Sequence, residues 1–260
     1  MKNPAAGGGR WVEVPPERLV SWIVTFAGWH GGASAVTRAQ DGSAVTFAAA
    51  DGAVAEVHPP FPPLPPWPQG PPPAAPEGAQ DAAPEAAPEV APDVAPEAAE
   101  AAEAIVAHAL AGRTVGVLLV RLGGYAAGVF TGAPPALAGS KTGRRLVHGR
   151  SAAGGWSQQR FARRRDNQAA TALRAAADAA VQVFGPFGPG GLDAVVLGGD
   201  KRAAAGLKDD PRLRDYLSRA QERFLTVPDP RPAVLREIPQ AYLAIRIRLT
   251  EPESAGRPAG

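Results

Sequence analysis

Cysteine is absent from the chain, which excludes disulfides and thiolate-held metal sites. Histidine is scarce, with four scattered residues, so a structural zinc centre is not expected. Long apolar runs are lacking as well. The longest strongly apolar stretches, such as residues 115–122, fall well short of the roughly 20 residues a membrane helix needs. Met1-Lys2-Asn3-Pro4 leads into a glycine-rich stretch and not into the apolar core of a secretory signal. These absences predict a cytoplasmic protein with no membrane contact, no metal and no cofactor.

Lysine is also rare, 4 residues against 23 arginines. Neither occurs between His58 and Gly112, where eight acidic residues fall. Set against the formal +2 of the whole chain, those eight negative charges leave +10 on the remainder. A coding bias toward Arg, Ala, Gly and Pro accounts for the usage but not for the clustering.

The 260 residues divide by composition. Residues 1–10 read as a disordered tail, and residues 11–58 as a small α+β unit. Pro15-Pro16-Glu17-Arg18 sets a helix start, and Leu19, Val20, Trp22, Ile23 and Phe26 recur at helical spacing. Gly31-Gly32 ends that helix. Three short strands follow, over 35–38, 44–48 and 54–58, with Asp41-Gly42 and Asp51-Gly52 as hairpin turns. Residues 59–103 are low-complexity: fifteen of the 29 prolines lie between Pro59 and Pro96, a density that forbids a continuous helix. This Pro/Ala/Glu-rich segment reads as a disordered, semi-rigid linker, with residues 62–66 also matching a polyproline ligand.

A main domain is expected over 104–250, with a disordered tail at 251–260. A short helix over 104–110 precedes strands over 115–122 and 125–131, joined by Gly123-Gly124. Residues 139–157 read as loop. A long helix runs from Ser157 or Gln158 to Phe184, a buried strand covers 192–197, and helices cover 201–207 and 213–224. Candidate strands cover 224–227 and 241–249. The order predicts an α/β fold of α+β type, a mixed sheet with helices packed on it.

The window from Lys141 to Arg165 holds Lys141, Arg144, Arg145, Arg150, Arg160, Arg163, Arg164 and Arg165 and no acidic residue. Like charges packed this closely repel one another in a free loop. Against a polyanion they are stabilising, because each phosphate contact releases counterions and a guanidinium donates two bonds at once. Within it lies Gly154-Gly155-Trp156-Ser157-Gln158-Gln159-Arg160-Phe161. Paired glycines allow close backbone approach, and the helix start behind them offers free amides to anions.

This stretch resembles the catalytic loop of eukaryotic and archaeal peptide-chain release factors: Gly-Gly-Gln, then Ser, then a helix with Arg-Phe and further basic residues. Gly154, Gly155, Ser157, Arg160, Phe161 and Arg163 match that pattern. Trp156 stands where those factors have glutamine, and Gln158 follows two residues later. The arrangement is most similar to the actinobacterial-type branch of the Vms-like release factors, in which the glutamine is displaced from the glycine pair. The resemblance covers roughly 113–249 and has no stretch like a stop-codon-reading domain.

The resemblance implies an RNase H-like catalytic domain and a peptidyl-tRNA hydrolase acting in ribosome rescue and quality control. It implies Gln158, with Gly154 and Gly155, as the catalytic group, and Gln159 as the alternative. Arg144, Arg145, Arg150, Trp156, Ser157, Arg160, Arg163, Arg164 and Arg165 would contact RNA. The implied partners are the large ribosomal subunit, ribosomal RNA and peptidyl-tRNA, met by a monomer. Two other readings are open, of which only the first uses the same residues. One is a non-catalytic ribosome- or RNA-binding factor. The other is a metal-dependent nuclease of RNase H type using Asp166, Asp193 and Asp200, which needs several carboxylates converging on one strand end.

Overall fold

The computed structural model describes residues 3–4, 8–66, 95–121, 123–144 and 157–252, with the side chains of the long third helix described from Ala169 onward. The chain forms two compact units. The first joins residues 1–110 to 243–260, and the second is 111–242.

The first unit is built on a six-stranded sheet, in the order β1 (Asn3–Pro4), β2 (Arg10–Val14), β11 (Ile245–Thr250), β5 (Val54–His58), β4 (Val45–Ala49), β3 (Ala33–Arg38). Every pairing in it is antiparallel. Successive strand side chains point to opposite faces. Val45, Phe47 and Ala49 of β4, Ala55 and Val57 of β5, and Ile245, Ile247 and Leu249 of β11 are therefore buried together. Helix α1 (Leu19–Trp29) adds Leu19, Ile23, Phe26 and Ala27 to that core, and α2 (Pro96–Leu110) adds Ala98, Ala101, Ala102, Ile105 and Ala109.

Two features depart from the sequence reading. Helix α2 begins at Pro96, inside the segment read as linker. Its proline occupies the first turn, where no amide donor is needed, and no proline follows. Glu97, Glu100 and Glu103 stay exposed while the alanines and Ile105 turn inward. The stretch before residue 67 is also packed: Leu64 is buried and its amide donates to the Gly42 carbonyl at 2.9 Å. The rest of that linker, 67–94, and the tail 253–260 lie outside the described residues. The second departure is β11. It belongs to the first unit and sits between β2 and β5, with Ile247 opposite both Val12 and Val57.

The second unit holds a five-stranded sheet, in the order β10 (Ala220–Leu225), β9 (Ala194–Gly199), β6 (Val115–Arg121), β7 (Gly124–Thr131), β8 (Ala136–Arg144). β6 runs parallel to β9, and β9 to β10, whereas β7 is antiparallel to both β6 and β8. Numbered within the unit, the order is 3-2-1-4-5 with only the second strand reversed, the arrangement of an RNase H-like sheet. The mixed α+β class expected from the sequence is the one observed.

β6 and β7 are buried on both faces. On one face α3 (Ser157–Phe184) lays Ala176, Ala180, Val183 and Phe184 against Leu118, Val120, Ala127 and Val129. Helices α4 (Lys201–Leu207) and α5 (Arg214–Leu217) add Leu207 and Tyr216 to the same cluster. On the other face α6 (Pro232–Leu243) brings Leu235 over Gly128 and Tyr242 to 6.3 Å from the Phe130 ring.

Ala136–Arg144 was expected to be loop from residue 139 onward, yet it forms the edge strand β8. Its side chains are mostly exposed, so no apolar alternation marks it; backbone pairing with β7 holds it in place. The expected helix over 213–224 is only one turn, α5. Leu213, Tyr216 and Leu217 have helical spacing, but Ala220–Leu225 is extended as β10.

Candidate nucleic-acid and catalytic interface

The C-terminal ends of β6, β8 and β9 and the start of β7 share one rim of the second sheet. Arg121 of β6 and Arg144 of β8 are both register partners of Gly124 in β7, and Gly199 of β9 is opposite Val120. The arginine-rich window leaves the sheet from this rim, at Arg144, and re-enters as α3.

Arg144 is exposed (65%), and its Nη1 lies 3.6 Å from Asp229 Oδ2. Arg231 (69% exposed) reaches the same oxygen with Nη2, also at 3.6 Å. Two guanidinium groups thus reach one carboxylate oxygen, in the turn between β10 and α6. The other oxygen, Oδ1, is buried without a hydrogen-bond partner. It lies against Gly124, where a Cβ would come within 2.9 Å of it. Arg121 Nη1 donates to the Val227 carbonyl at 2.8 Å and ties the same turn to the end of β6. Of the window's cations, Lys141 is engaged elsewhere: its ammonium donates to Gln182 Oε1 on α3. Beneath the rim Tyr125 packs across Gly143, leaving no room for a larger residue there.

Ser157, Gln158, Gln159, Arg160, Arg163, Arg164 and Arg165 fall in the first turns of α3. Gly154, Gly155, Trp156, Arg145 and Arg150 lie outside the described residues. The helix has 28 residues and so extends about 42 Å. Ala169, Ala172, Ala176, Ala180 and Val183 make one stripe along it, at steps of three and four. The stripe is buried from Ala172 onward, but Ala169 is exposed, as are Ala170 and Thr171. An alanine exposed on an otherwise buried stripe marks where α3 parts from the sheet. Gln158 precedes Ala172 by fourteen positions, about 21 Å along the axis. The first turns of α3, its N-terminal arm, thus precede the first turn whose side chains are buried against the sheet.

The arm has two sides. Stepping back from Ala169 through Arg165 and Ala162 reaches Gln158, so these positions share the stripe that faces the sheet further along. At about 100° per residue, Arg160, Arg163 and Arg164 fall roughly 140–240° from Gln158, on the opposite side. Gln159 sits about 100° from Gln158.

Asp193 and Asp200, two of the three carboxylates a nuclease would use, do not converge. Asp193 precedes β9 and its Oδ2 accepts the Thr114 amide at 2.7 Å. Asp200 follows β9 at the other end, where Oδ1 caps α4 by accepting the amides of Arg202 at 2.8 Å and Ala203 at 3.0 Å. The side chain of Asp166 lies outside those described. Among the described residues no group of three or more His, Asp or Glu side chains is placed to hold a metal ion. Nor is any helix there long and apolar enough to cross a membrane.

Asp229, Arg231 and Arg121 were not singled out from the sequence. Asp229-Pro230 looks like an ordinary turn, and only the sheet order carries it to the root of the basic loop.

The RNase H-like sheet order, with the arginine-rich window lying in sequence between β8 and α3, fits a domain of release-factor type, and the family match decides it. The family model for the Actinobacteria/chloroflexi VLRF1 release factor matches residues 113–248, and the chain belongs to that family. The match spans the sheet, the loop, the arm and the turn bearing Asp229. Among solved structures, the chain is similar to the crystal structure of an archaeal translation termination factor, aRF1. The identity is 14% and the TM-score 0.38, over 50% of this chain and 36% of that one. It is also similar to a structure described as an archaeal protein, with 11% identity and a TM-score of 0.32, over 88% of this chain and 62% of that one. The chain thus spans less than two thirds of the length of either. No curated protein matches it.

Proposed function

We propose that the protein is a peptidyl-tRNA hydrolase of release-factor type. It would cleave the ester between a nascent peptide and tRNA on stalled ribosomes, in ribosome rescue. The observation that carries this reading is the family match over 113–248, a span that includes the sequence Gly154-Gly155-Trp156-Ser157-Gln158. The proposed partners are the large ribosomal subunit, its RNA and peptidyl-tRNA. The protein would act as a cytoplasmic monomer without a cofactor.

The ester is activated relative to an amide, so the reaction needs no strong side-chain nucleophile. It needs a placed water and donors toward the oxyanion. A glutamine amide is no base at neutral pH, but its carbonyl orients a water and its NH₂ donates. Gln158 takes that role, with Gln159 as the alternative, and the backbone at Gly154 and Gly155 admits the ester. Trp156 would stack on a base or ribose. Arg144, Arg145, Arg150, Arg160, Arg163, Arg164, Arg165 and Ser157 would hold phosphates; by helical periodicity Arg160, Arg163 and Arg164 fall opposite Gln158, whereas Arg165 shares its stripe.

The test is nascent-chain release from peptidyl-tRNA on stalled ribosomes. Gln158→Ala is expected to lower the release rate by at least tenfold while ribosome binding persists. Wild-type rates in both Gln158→Ala and Gln159→Ala would leave the non-catalytic binding factor as the better reading.

A further inference from the structure

The rim from which the basic loop departs carries cations that lie far from the loop in sequence. Asp200 donates its amide to the Val120 carbonyl at 2.8 Å, which sets Lys201 and Arg202 directly beside the end of β6. Both are exposed. The Lys201 ammonium lies 5.9 Å from the centre of the Phe224 ring on β10, one edge of the sheet. At the other edge are Arg144 on β8 and Arg231, which share the Asp229 carboxylate. Arg121 stands between them. At about 4.8 Å between strands, a row crossing from β10 to β8 spans roughly 19 Å. Five cations in this row face two carboxylates, Asp200 and Asp229. Asp200 is held by the backbone amides of its own helix start, and Asp229 is shared by two arginines.

We propose that Lys201, Arg202 and Arg231, together with Arg144, form an RNA phosphate-binding rim continuous with the basic loop. A nucleic-acid backbone following the loop would then run across the strand ends of the second unit. The partner class follows from chemistry. The groups are exposed, of one sign and set in a row, which fits repeated phosphates along one strand better than a single anion, and a guanidinium pairs with phosphate through two donors. The rim rests on the reading of the loop as RNA-binding, but its test needs no hydrolysis.

The full-length chain is titrated with a short RNA hairpin bearing a single-stranded 3′ end, and anisotropy is followed from about 50 to 200 mM salt. Each lost phosphate contact lowers the slope of log K against log salt by about 1. The triple variant Lys201→Gln/Arg202→Gln/Arg231→Gln is therefore expected to lower it by about 2–3. Lys208→Gln/Arg236→Gln, off the rim, controls for net charge and should leave the slope near the wild-type value. The rim is refuted if the triple variant keeps the wild-type slope, or if the control loses as much per charge. All five positions are exposed, so thermal melting should show the variants folded. The two proposals fail separately. Wild-type protein that binds RNA through the rim but releases no nascent chain overturns the hydrolase reading alone. Normal release and an unchanged slope in the triple variant overturn the rim alone.

Discussion

Arg144, the last residue of β8, sits 3.6 Å from the Asp229 carboxylate, so the root of the basic loop is fixed to a turn eighty-five positions away in sequence. Ion pairs this exposed contribute less than about 1 kcal/mol, so Asp229→Asn should barely move a urea melt. It removes one negative charge from beside two arginines. RNA should bind the variant more tightly at low salt, and the gain should fade as salt screens it. A loss of affinity at low salt would show that the carboxylate's placement of the two guanidinium groups outweighs its charge.

Ala169 and Ala176 share one stripe of α3, but only Ala176 is buried. Ala169→Glu should change stability by no more than about 0.5 kcal/mol. Ala176→Glu puts an unpaired carboxylate into the core of the second unit and should cost at least about 3 kcal/mol, or abolish folding. Equal costs in chemical denaturation would mean that the arm does not leave the sheet where Ala169 marks it.

Gly199 ends β9 with φ of +104°, and a Cβ there would run into the Val120 carbonyl. Gly199→Ala combines left-handed strain with that collision and should cost about 2 kcal/mol or more. Gly185→Ala, with open space around it, is the control and should cost less than about 1 kcal/mol.

His58 lies in the first unit between Glu56, Arg246, Arg248 and the Trp11 ring. Burial pulls its pKa below the usual 6.5; Glu56 opposes this, and the two arginines add to it. The folded protein therefore binds fewer protons here than the unfolded chain. The stability this supplies is complete above the unfolded pKa and is lost as pH falls through the folded one. Between about pH 7.5 and 5.5 the melting temperature of His58→Gln should fall less than that of wild type. A steeper fall in the variant would reverse the sign and refute the assignment.

The parts of the fold that were legible are those whose signal is local. The β6–β7 hairpin shows as two apolar runs around Gly123-Gly124. The boundaries of α3 show in the basic start at Ser157 and the Gly-Pro run after Phe184. Ile245, Ile247 and Leu249 alternate with Arg246 and Arg248, and that pattern identifies a strand. It does not say that the strand's partners are Val12 and Val57, because register between distant segments has no local signature. β8 stayed hidden because an exposed edge strand is held by its backbone. The helix over 104–110 was legible, but the first two turns of α2, from Pro96, stayed hidden because their alanines resemble the proline-spaced alanines before them. Of the site, the charge of the loop was legible, whereas its neighbours Asp229, Arg231, Lys201 and Arg202 come together only through the order of the strands.

The place of β11 bears on how the protein is made. Strands β2 and β5 do not pair with each other; β11 separates them, and it follows every other described strand in chain order. The first unit therefore lacks a central strand until residues 245–250 have emerged, while every element of the second unit is already out. Domains ordinarily fold from the N-terminus as synthesis proceeds. Here every described strand of the second unit precedes β11 in chain order, so that unit can mature before the six-stranded sheet closes.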